Sequence, residues 1–542
     1  MKKHLVTFLF FAILLLAALL RFWRIDVVPP GIDWDEAAVG YNAYSLLKTG
    51  KDEYGNPWPL TFTSFGDGKL PVIVYATVPS IAAFGLTPLG IRFPSILVGI
   101  GTVAVTYFLT LTIFKKKSIA LTAMFLLAVS PWHLQFSRAA FEPTWATFFV
   151  PLSLFFWWKG KEHPRWYLAA AGGFALSLYT YHSVKIFLPL MLLVLLFLHR
   201  SFLLKNRRTV VLAGLVFFLL ASPAIVTTFT SPQGRLAQTS VINHPSEIEK
   251  INARRRDDIR DGFPFPALWN NKLTRNTEVL AEHYASHFSP QFLFFGEQVN
   301  FRLGLRDYGK FHLFEAVLLL IGVYTLIRWR NAVSAFLFAW IGIGVLPGAL
   351  GTEFPHSLRT LVSLPSWQMV GAVGAMELFG WVRKVRPPFT RLFVVFAAVI
   401  VLSSLFVYLH EYHVYFRAYG SFDWQDGHKD MAKFVYQNKD RYEKIVVTTR
   451  LFQPHIFYAL YNQIDPAWYQ RQMTMAENDA KKGIVQRLGN VFFQEVSESR
   501  LEGLPNTLVI ASSDEIQSSV KRIATFPTNE GNVLFYAIET SR

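Results

Sequence analysis

Apolar runs long enough to cross a bilayer recur along this chain, and short basic connectors alternate with longer mixed ones between them. A bilayer core about 30 Å thick needs roughly 20 mostly apolar helical residues. On that rule the pattern predicts eleven spans, at about 5–22, 94–114, 118–136, 143–158, 166–182, 184–199, 209–229, 311–327, 332–349, 360–380 and 392–410. The opening "MKKH" before an apolar run also begins a secretory signal, but no small-x-small cleavage site precedes "RFWRID", so an uncleaved anchor is expected. The run "KLPVIVYATVPSIAAFG" at 69–85 is 17 residues long and holds two prolines, so it reads as an interfacial helix. Residues 24–93 then form one outside loop with two short juxtamembrane helices, and 230–310 forms a second with mixed charge and little periodicity. From about 411 no run is long enough to span. Strand-like "KIVVTT", "NTLVIA" and "NVLFYAIE" alternate there with helix-like "HKDMAKFVYQN" and "IFYALYN". The prediction is a transmembrane domain over 1–410 and a small extracytoplasmic α/β domain over 411–542.

Charge fixes the orientation. The six short connectors, from "MKKH" to "RKVRPPFTR" at 383–391, hold eighteen Lys and Arg against the single acid Glu162. Positive-inside bias puts them on the cytoplasmic side of a cell membrane. The formal net charge of +16 therefore resides in topology: these connectors carry +17 and the rest of the chain −1. That removes nucleic acid as a partner despite the basic balance. The composition, 52% hydrophobic and 17% charged, is too poor in charge for an ordinary soluble enzyme. With no Cys, disulfides, thiolate metal sites and thiol nucleophiles are excluded. No phosphate-binding "GxxxxGK[ST]" loop or dinucleotide "GxGxxG" unit occurs, so nothing points to nucleotide-driven pumping.

The candidate chemistry lies in the outside connectors. "GIDWDEAAVGYNAYSLLKTG" offers Asp33, Asp35 and Glu36 just before a helical run carrying Tyr41 and Tyr44. One of the aspartates suits a helix cap, but three carboxylates in four residues exceed what a cap requires. Further along come Asp67 and Lys69, Arg92, then His133, Arg138 and Glu142, then Tyr179, Tyr181, His182 and Lys185, and last Glu353, His356 and Arg359. Singly these fit snorkelling arginines, helix-face ion pairs or interfacial tyrosines. Together they gather cations, which suit a phosphate, and acids, which suit proton abstraction or a metal, on one face of the membrane. The inference is a site for a phosphorylated lipid and a hydroxyl-bearing partner.

At these residues the chain resembles bacterial membrane glycosyltransferases of the GT-C superfamily, of the glycosyltransferase family 39 type that includes protein O-mannosyltransferases and the lipid A aminoarabinose transferase. The resemblance covers roughly 1–410 and rests on "WDEAAVGYNAYSLLKTG", "GDGKLPVIVY", "IRFPSILVG", "SPWHLQFSRAAFEPTW", "YTYHSVKIFLPL", "SPQGRLAQTSVIN", "HFSPQFLFFGEQVNFR" and "EFPHSLRTLVSLP". It implies a GT-C-like helical bundle and inverting transfer of a sugar from a polyprenyl-phosphate carrier to a glycan, lipid or protein hydroxyl at the outer face. It assigns Asp35 as general base, with Glu36 and Glu142 as further catalytic acids. Lys69, Arg92, Arg138 and Arg359 would bind the donor phosphate, and Tyr41, Tyr179, His182, Lys185 and His356 the substrate. The family often reads Lys-Pro-Pro where this chain has Lys69-Leu70-Pro71. The lectin-like acceptor domain of the mannosyl-type members is absent. No His, Asp or Glu spacing such as "HExxH" marks a metal site, so no obligatory metal is expected, although acids and histidines able to bind a divalent ion are present. Two alternatives remain open. A polysaccharide polymerase or ligase would use a diphosphate-linked donor, for which "NARRRDDIRDG" at 252–262 supplies arginines. A lipid or sugar transporter would instead carry charges at mid-membrane.

Overall fold

A computed structural model describes residues 3–230, 245–296, 300–384, 387–475, 483–497, 506–516 and 520–540. The resemblance string at 231–243 and part of the basic connector at 383–391 lie outside these residues.

Each predicted span coincides with a helix or a bent pair. They are α1 (Lys3–Phe22), α4 (Pro88–Phe114), α5 (Lys117–Val129) with α6 (Pro131–Ser137), α7 (Glu142–Lys159), α8 (Trp166–Ser177), α9 (Val184–Lys205) and α10 (Arg207–Thr230). After the second loop come α14 (Leu313–Trp329), α15 (Ala332–Ala349), α16 (Ser366–Arg383) and α17 (Pro387–His410). By length and composition alone, six of these can cross a membrane, or seven with the α5–α6 pair counted as one span. The remaining four are helices of 12 to 18 residues packed within the bundle. The chain is a multi-pass membrane protein. The 58° bend between α5 and α6 has a local cause. Pro131 has no amide to continue the ladder, and the extended Ser130 caps the new helix by accepting from the His133 amide.

The loop after α1 holds α2 (Trp34–Thr49), a hairpin of β1 (Phe62–Ser64) and β2 (Asp67–Lys69), and α3 (Pro71–Phe84). At 14 residues α3 is about 21 Å long, short of a crossing. The hairpin turn is the two residues Phe65 (φ +53°) and Gly66 (φ +84°). Two left-handed residues give a turn whose twist matches the strands, and Gly takes the second without a Cβ clash. That turn delivers Lys69 to the start of α3.

The second loop is more regular than its sequence suggested. It contains α11 (Pro245–Arg260), α12 (Pro266–Trp269) and α13 (Lys272–Ser286). Asn271 and Thr274 form a capping box that starts α13. The missed signal was this box, hidden because the helices carry few apolar residues.

Beyond α17 a π-helical turn (Glu411–Tyr415) and α18 (Phe416–Tyr419) lead into α19 (His428–Gln437), α20 (Pro454–Tyr461) and α21 (Pro466–Gln472). These accompany a mixed sheet built from β3 (Lys444–Val447), β4 (Met473–Thr474), β5 (Arg487–Leu488), β6 (Val491–Phe493), β7 (Thr507–Ser512), β8 (Ala524–Pro527) and β9 (Val533–Glu539). The strand order is β4-β5-β6-β3-β7-β9-β8, with β3 parallel to both β6 and β7. The three predicted strand runs are β3, β7 and β9, while the short β4, β5, β6 and β8 carry too few residues for a pattern.

The sheet region and the first loop share one apolar core. Val39 and Ala43 of α2 and Ile73 and Val74 of α3 pack in one cluster with Ile445, Phe457, Leu460 and Phe535. Gln470 extends the seam by donating to Ser45 Oγ (3.1 Å) and to the Asp52 carbonyl (2.8 Å).

Within this seam Glu53 is fully buried, with Oε1 accepting from Asn42 Nδ2 (2.8 Å) and Oε2 unpartnered. Burial pushes its carboxyl up to about 8. A carboxyl raised by folding stabilises the folded state below its unfolded value near 4.5, and that contribution fades as pH rises towards 8. The purified protein is therefore expected to lose thermal stability between pH 4.5 and 8 in part through Glu53. Glu53→Gln should flatten that slope and raise the unfolding midpoint at pH 8 by more than at pH 4.5. A variant slope equal to the wild type in differential scanning calorimetry would contradict this.

Candidate active site

The start of α2 sets the site. Asp33 is the N-cap, accepting from the Asp35 amide (2.8 Å), and Glu36 reaches back to the Asp33 amide (3.3 Å) as the other half of a capping box. Those two acids complement the positive end of the helix. Asp35, between them, points elsewhere. Its Oδ1 accepts from Lys69 Nζ at 2.5 Å and its Oδ2 from Arg302 Nη2 at 2.6 Å. Arg302 also grips Asp33 through Nε, and through Nη2 at 3.1 Å, while its guanidinium lies 4.2 Å over the Trp34 ring. One carboxylate thus sits between two cations.

Electrostatics keeps the two cations of this cluster charged. Burial alone would lower Lys69, but the carboxylates of Asp35, Glu142 and Asp67 outweigh it and hold the ammonium above its ordinary value. Burial likewise opposes the Arg302 charge, and Asp33 and Asp35 more than restore it. Burial pushes the Asp33 carboxyl up, against the pull of Arg302 and the Asp35 amide.

A pocket with about 180 Å³ of open space adjoins the cluster. Asp35, Lys69, Glu142, Arg302, His356 and Arg359 contribute to its wall, with Tyr181, Asn300 and Glu353. Glu142 begins α7 and accepts from the Leu70 amide (2.7 Å), which ties it to the segment carrying Lys69. Among the described residues no carboxylate forms an ion pair with Arg359, which leaves its guanidinium to the pocket. His356 lies 3.7 Å from Glu353 and anchors its backbone amide on His287 Nε2 (3.0 Å). The pocket residues come from the ends of apolar helices on one side of the bundle and from the loops joining them.

Several predicted site residues lie elsewhere. Glu36 and Arg92 form a fully buried bidentate pair (2.9 and 2.8 Å). Glu36 also accepts from the Ala140 amide (2.8 Å), and Arg92 donates to the carbonyls of Ile25 (2.9 Å) and Gly31 (2.5 Å). Arg138 spends its guanidinium on the carbonyls of Leu20, Arg21, Trp23 and Val28 and on the Tyr412 hydroxyl. These two arginines are thus placed as ties between α1, its following loop and α4–α6, instead of in the pocket with the phosphate role expected of them. Tyr41 is buried against Tyr469 and donates to the Ile464 carbonyl (3.1 Å), so it joins α2 to the sheet region. Tyr179 donates to the Leu220 carbonyl (2.7 Å), joining α8 to α10. His182 contacts the Gly68 carbonyl (2.9 Å) and steadies the hairpin behind Lys69. Lys185, at the start of α9, is within electrostatic reach of Glu142.

The residue that the sequence reading leaves unassigned is Arg302. It ends the string "HFSPQFLFFGEQVNFR", but no spacing links it to an acid 267 positions away. None of the arginines of 252–262 lines the pocket: Arg254 pairs with Glu278 (3.2 Å), Arg260 with Asp257 and Asp261, and Arg255 donates to the Asn270 carbonyl.

Two stability outcomes separate tie from site. Glu36→Gln leaves the buried Arg92 without its counter-charge and should cost about 3–5 kcal/mol. Arg359→Ala, which breaks no ion pair among the described residues, should leave the unfolding midpoint within about 2 °C, a change of well under 1 kcal/mol. Equal midpoint losses in the two variants would contradict this division.

Comparisons with known proteins agree with this architecture. Residues 69–226 match a family model described as dolichyl-phosphate-mannose-protein mannosyltransferase. A search of curated proteins finds no match. Among solved structures, ArnT from Cupriavidus metallidurans bound to undecaprenyl phosphate is similar at a TM-score of 0.56 and 14% identity, with 99% of this chain and 98% of that chain covered. The same protein in the apo state gives 0.53 at 14% identity, covering 98% and 97%. The Archaeoglobus fulgidus oligosaccharyltransferase in complex with Zn and sulfate gives 0.51 at 14% identity, covering 93% of this chain and 68% of that chain. The chain therefore shares the fold of ArnT along its length, and over 69–226 it also matches a mannosyltransferase family model in sequence.

Proposed function

We propose that the protein is an inverting glycosyltransferase that moves a sugar from a polyprenyl-phosphate carrier to an acceptor hydroxyl at the outer face of the cell membrane. The observation that carries this reading is Asp35, held between Lys69 and Arg302 at the wall of a pocket that also holds Glu142 and Arg359. The lipid carrier accounts for a polar pocket at the ends of apolar helices. ArnT, the similar structure, is bound to undecaprenyl phosphate.

A neutral hydroxyl is a weak nucleophile, and a positioned carboxylate that takes its proton typically contributes about 10²–10⁴-fold. Asp35 accepts the acceptor O–H proton as the oxygen bonds to the anomeric carbon from the face opposite the phosphate. The anomeric C–O bond to phosphate breaks, and the polyprenyl phosphate leaves with the bonding pair. Arg359 receives the charge developing on that phosphate, a hydrogen bond between ions being worth about 1.5–3 kcal/mol. Lys69, whose ammonium has three donors and spends one on Asp35, is the second phosphate contact. Glu142 orients the acceptor, with His356 and Lys185 at the margins of the sugar site. Glu36, Arg92 and Arg138 serve as scaffold.

Similarity to an oligosaccharyltransferase crystallised with Zn raises the question of a metal. Among the described residues no three His, Asp or Glu side chains converge on one point. Both Asp35 oxygens already face cations, the positions a divalent ion would take. The proposal includes no obligatory metal, and transfer assayed with and without chelator tests that.

Proteoliposomes supplied with labelled polyprenyl-phosphate mannose or glucose and membrane extract should transfer label to an acceptor, with and without chelator. Asp35→Asn should lower turnover at least 10²-fold, and Arg359→Ala should raise the donor KM about 10-fold or more, the loss of one charged contact. Near-normal turnover in Asp35→Asn would remove the base assignment, and an unchanged donor KM in Arg359→Ala would remove the phosphate role.

A further inference from the structure

Neither partner of the Asp35–Arg302 pair is positioned by its own loop alone. Each is preceded in sequence by a residue whose backbone is held from the far end of the chain. The Trp34 amide donates to Gln425 Oε1 at 2.9 Å. The Phe301 amide donates to Asp423 Oδ2 at 2.7 Å, and the Phe301 carbonyl accepts from Trp424 Nε1 at 3.3 Å. Three successive residues of one turn, 423–425, thus hold the backbone amide of the residue before Asp35 and both the amide and the carbonyl of the residue before Arg302.

The turn is built rigidly. Trp424 and Gln425 are fully buried, and Trp424 packs on Phe141 and Phe416 with the Arg92 guanidinium 5.9 Å from its ring. Gln425 adopts φ +51°, a conformation that non-glycine residues seldom take, and its Nε2 is held on the Asp423 carbonyl (2.5 Å). That leaves Oε1 aimed at Trp34. Contact on the other side is equally close: a Cβ on Gly31 would lie 2.0 Å from the Trp424 carbonyl oxygen. The segment before Asp33 can approach this turn only without a side chain.

We propose that the turn 423–425 is a positioning element for the active site, setting the geometry in which Arg302 and Asp35 meet by holding the peptides of Phe301 and Trp34. It rests on the reading of Asp35 as the general base. The chemical consequence concerns proton affinity. Arg302 supplies one of the two cations that Asp35 faces at the pocket wall; when the turn lets Arg302 drift, the carboxylate loses that counter-charge, and a carboxylate without it binds a proton more readily.

The test uses the full-length protein in nanodiscs and the donor found in the proteoliposome assay. Gln425→Ala and Asp423→Ala should lower kcat about 10- to 100-fold, as a misplaced group does, with donor KM changed less than about 2-fold because Arg359 is untouched. The acid limb of the kcat–pH profile should move to higher pH in both. Asp423→Asn, which keeps an acceptor for the Phe301 amide, should recover most of the activity lost in Asp423→Ala. Wild-type kcat and acid limb in both alanine variants would overturn the proposal. Cryo-electron microscopy of Gln425→Ala decides the geometry without turnover: an Arg302–Asp35 separation beyond 4 Å, outside ion-pair reach, supports the positioning role, and an unchanged pair overturns it. If the wild type transfers no sugar, the reading of Asp35 as a base fails, while the measured Arg302–Asp35 separation still decides the positioning role.

Discussion

Three carboxylates crowd the first turn of α2, and the architecture around them is largely the set of cations and amides that makes this tolerable. Asp33 and Glu36 satisfy the helix start, Arg92 neutralises Glu36 in a dry interior, and Lys69 and Arg302 share Asp35. Like charges this close are costly unless each finds a partner. The partners come from the helix α4, the hairpin strand β2 and the segment 300–303. Meeting the requirement therefore folds the first loop back on the bundle and brings the second loop to it. The sheet region closes the arrangement by gripping both peptides that lead into the central pair.

The same constraint divides the charged residues by purpose. Arg92 and Arg138 saturate their donors on Glu36 and backbone carbonyls, so nothing remains for a ligand. Arg359 keeps its guanidinium for the pocket, and Lys69 retains spare donors there. A buried arginine surrounded by carbonyls holds loops together, whereas a half-buried one facing open space is available to a phosphate. Sequence position alone could not separate them, since all four lie at helix ends or in connectors on one side of the membrane part.

The fold was legible in the chain to the extent that apolar length dictates it. Helices α1, α4, α9, α10, α15 and α17 announce themselves by length, and the prolines of 69–85 marked α3 as too short to cross. Strands β3, β7 and β9 were visible as apolar runs, whereas two- and three-residue strands have no period to detect. Within the site, Asp35, Lys69, Glu142, His356 and Arg359 were legible because each sits in a connector rich in polar groups. Arg302 and the turn 423–425 were not, because their meaning lies in contacts 122 and more residues away. Long-range pairing of that kind leaves no local periodicity.

In the proposed reaction a carrier phosphate docks at Arg359, with Asp35 beside the bond to be broken. A cryo-electron microscopy structure of the protein in nanodiscs with undecaprenyl phosphate tests it most directly. Phosphate oxygens are expected about 3 Å from the Arg359 and Lys69 nitrogens, with the Asp35 carboxylate facing the same space. An ordered carrier whose phosphate sits outside this pocket, at the basic connectors 115–117 or 199–208, would contradict it.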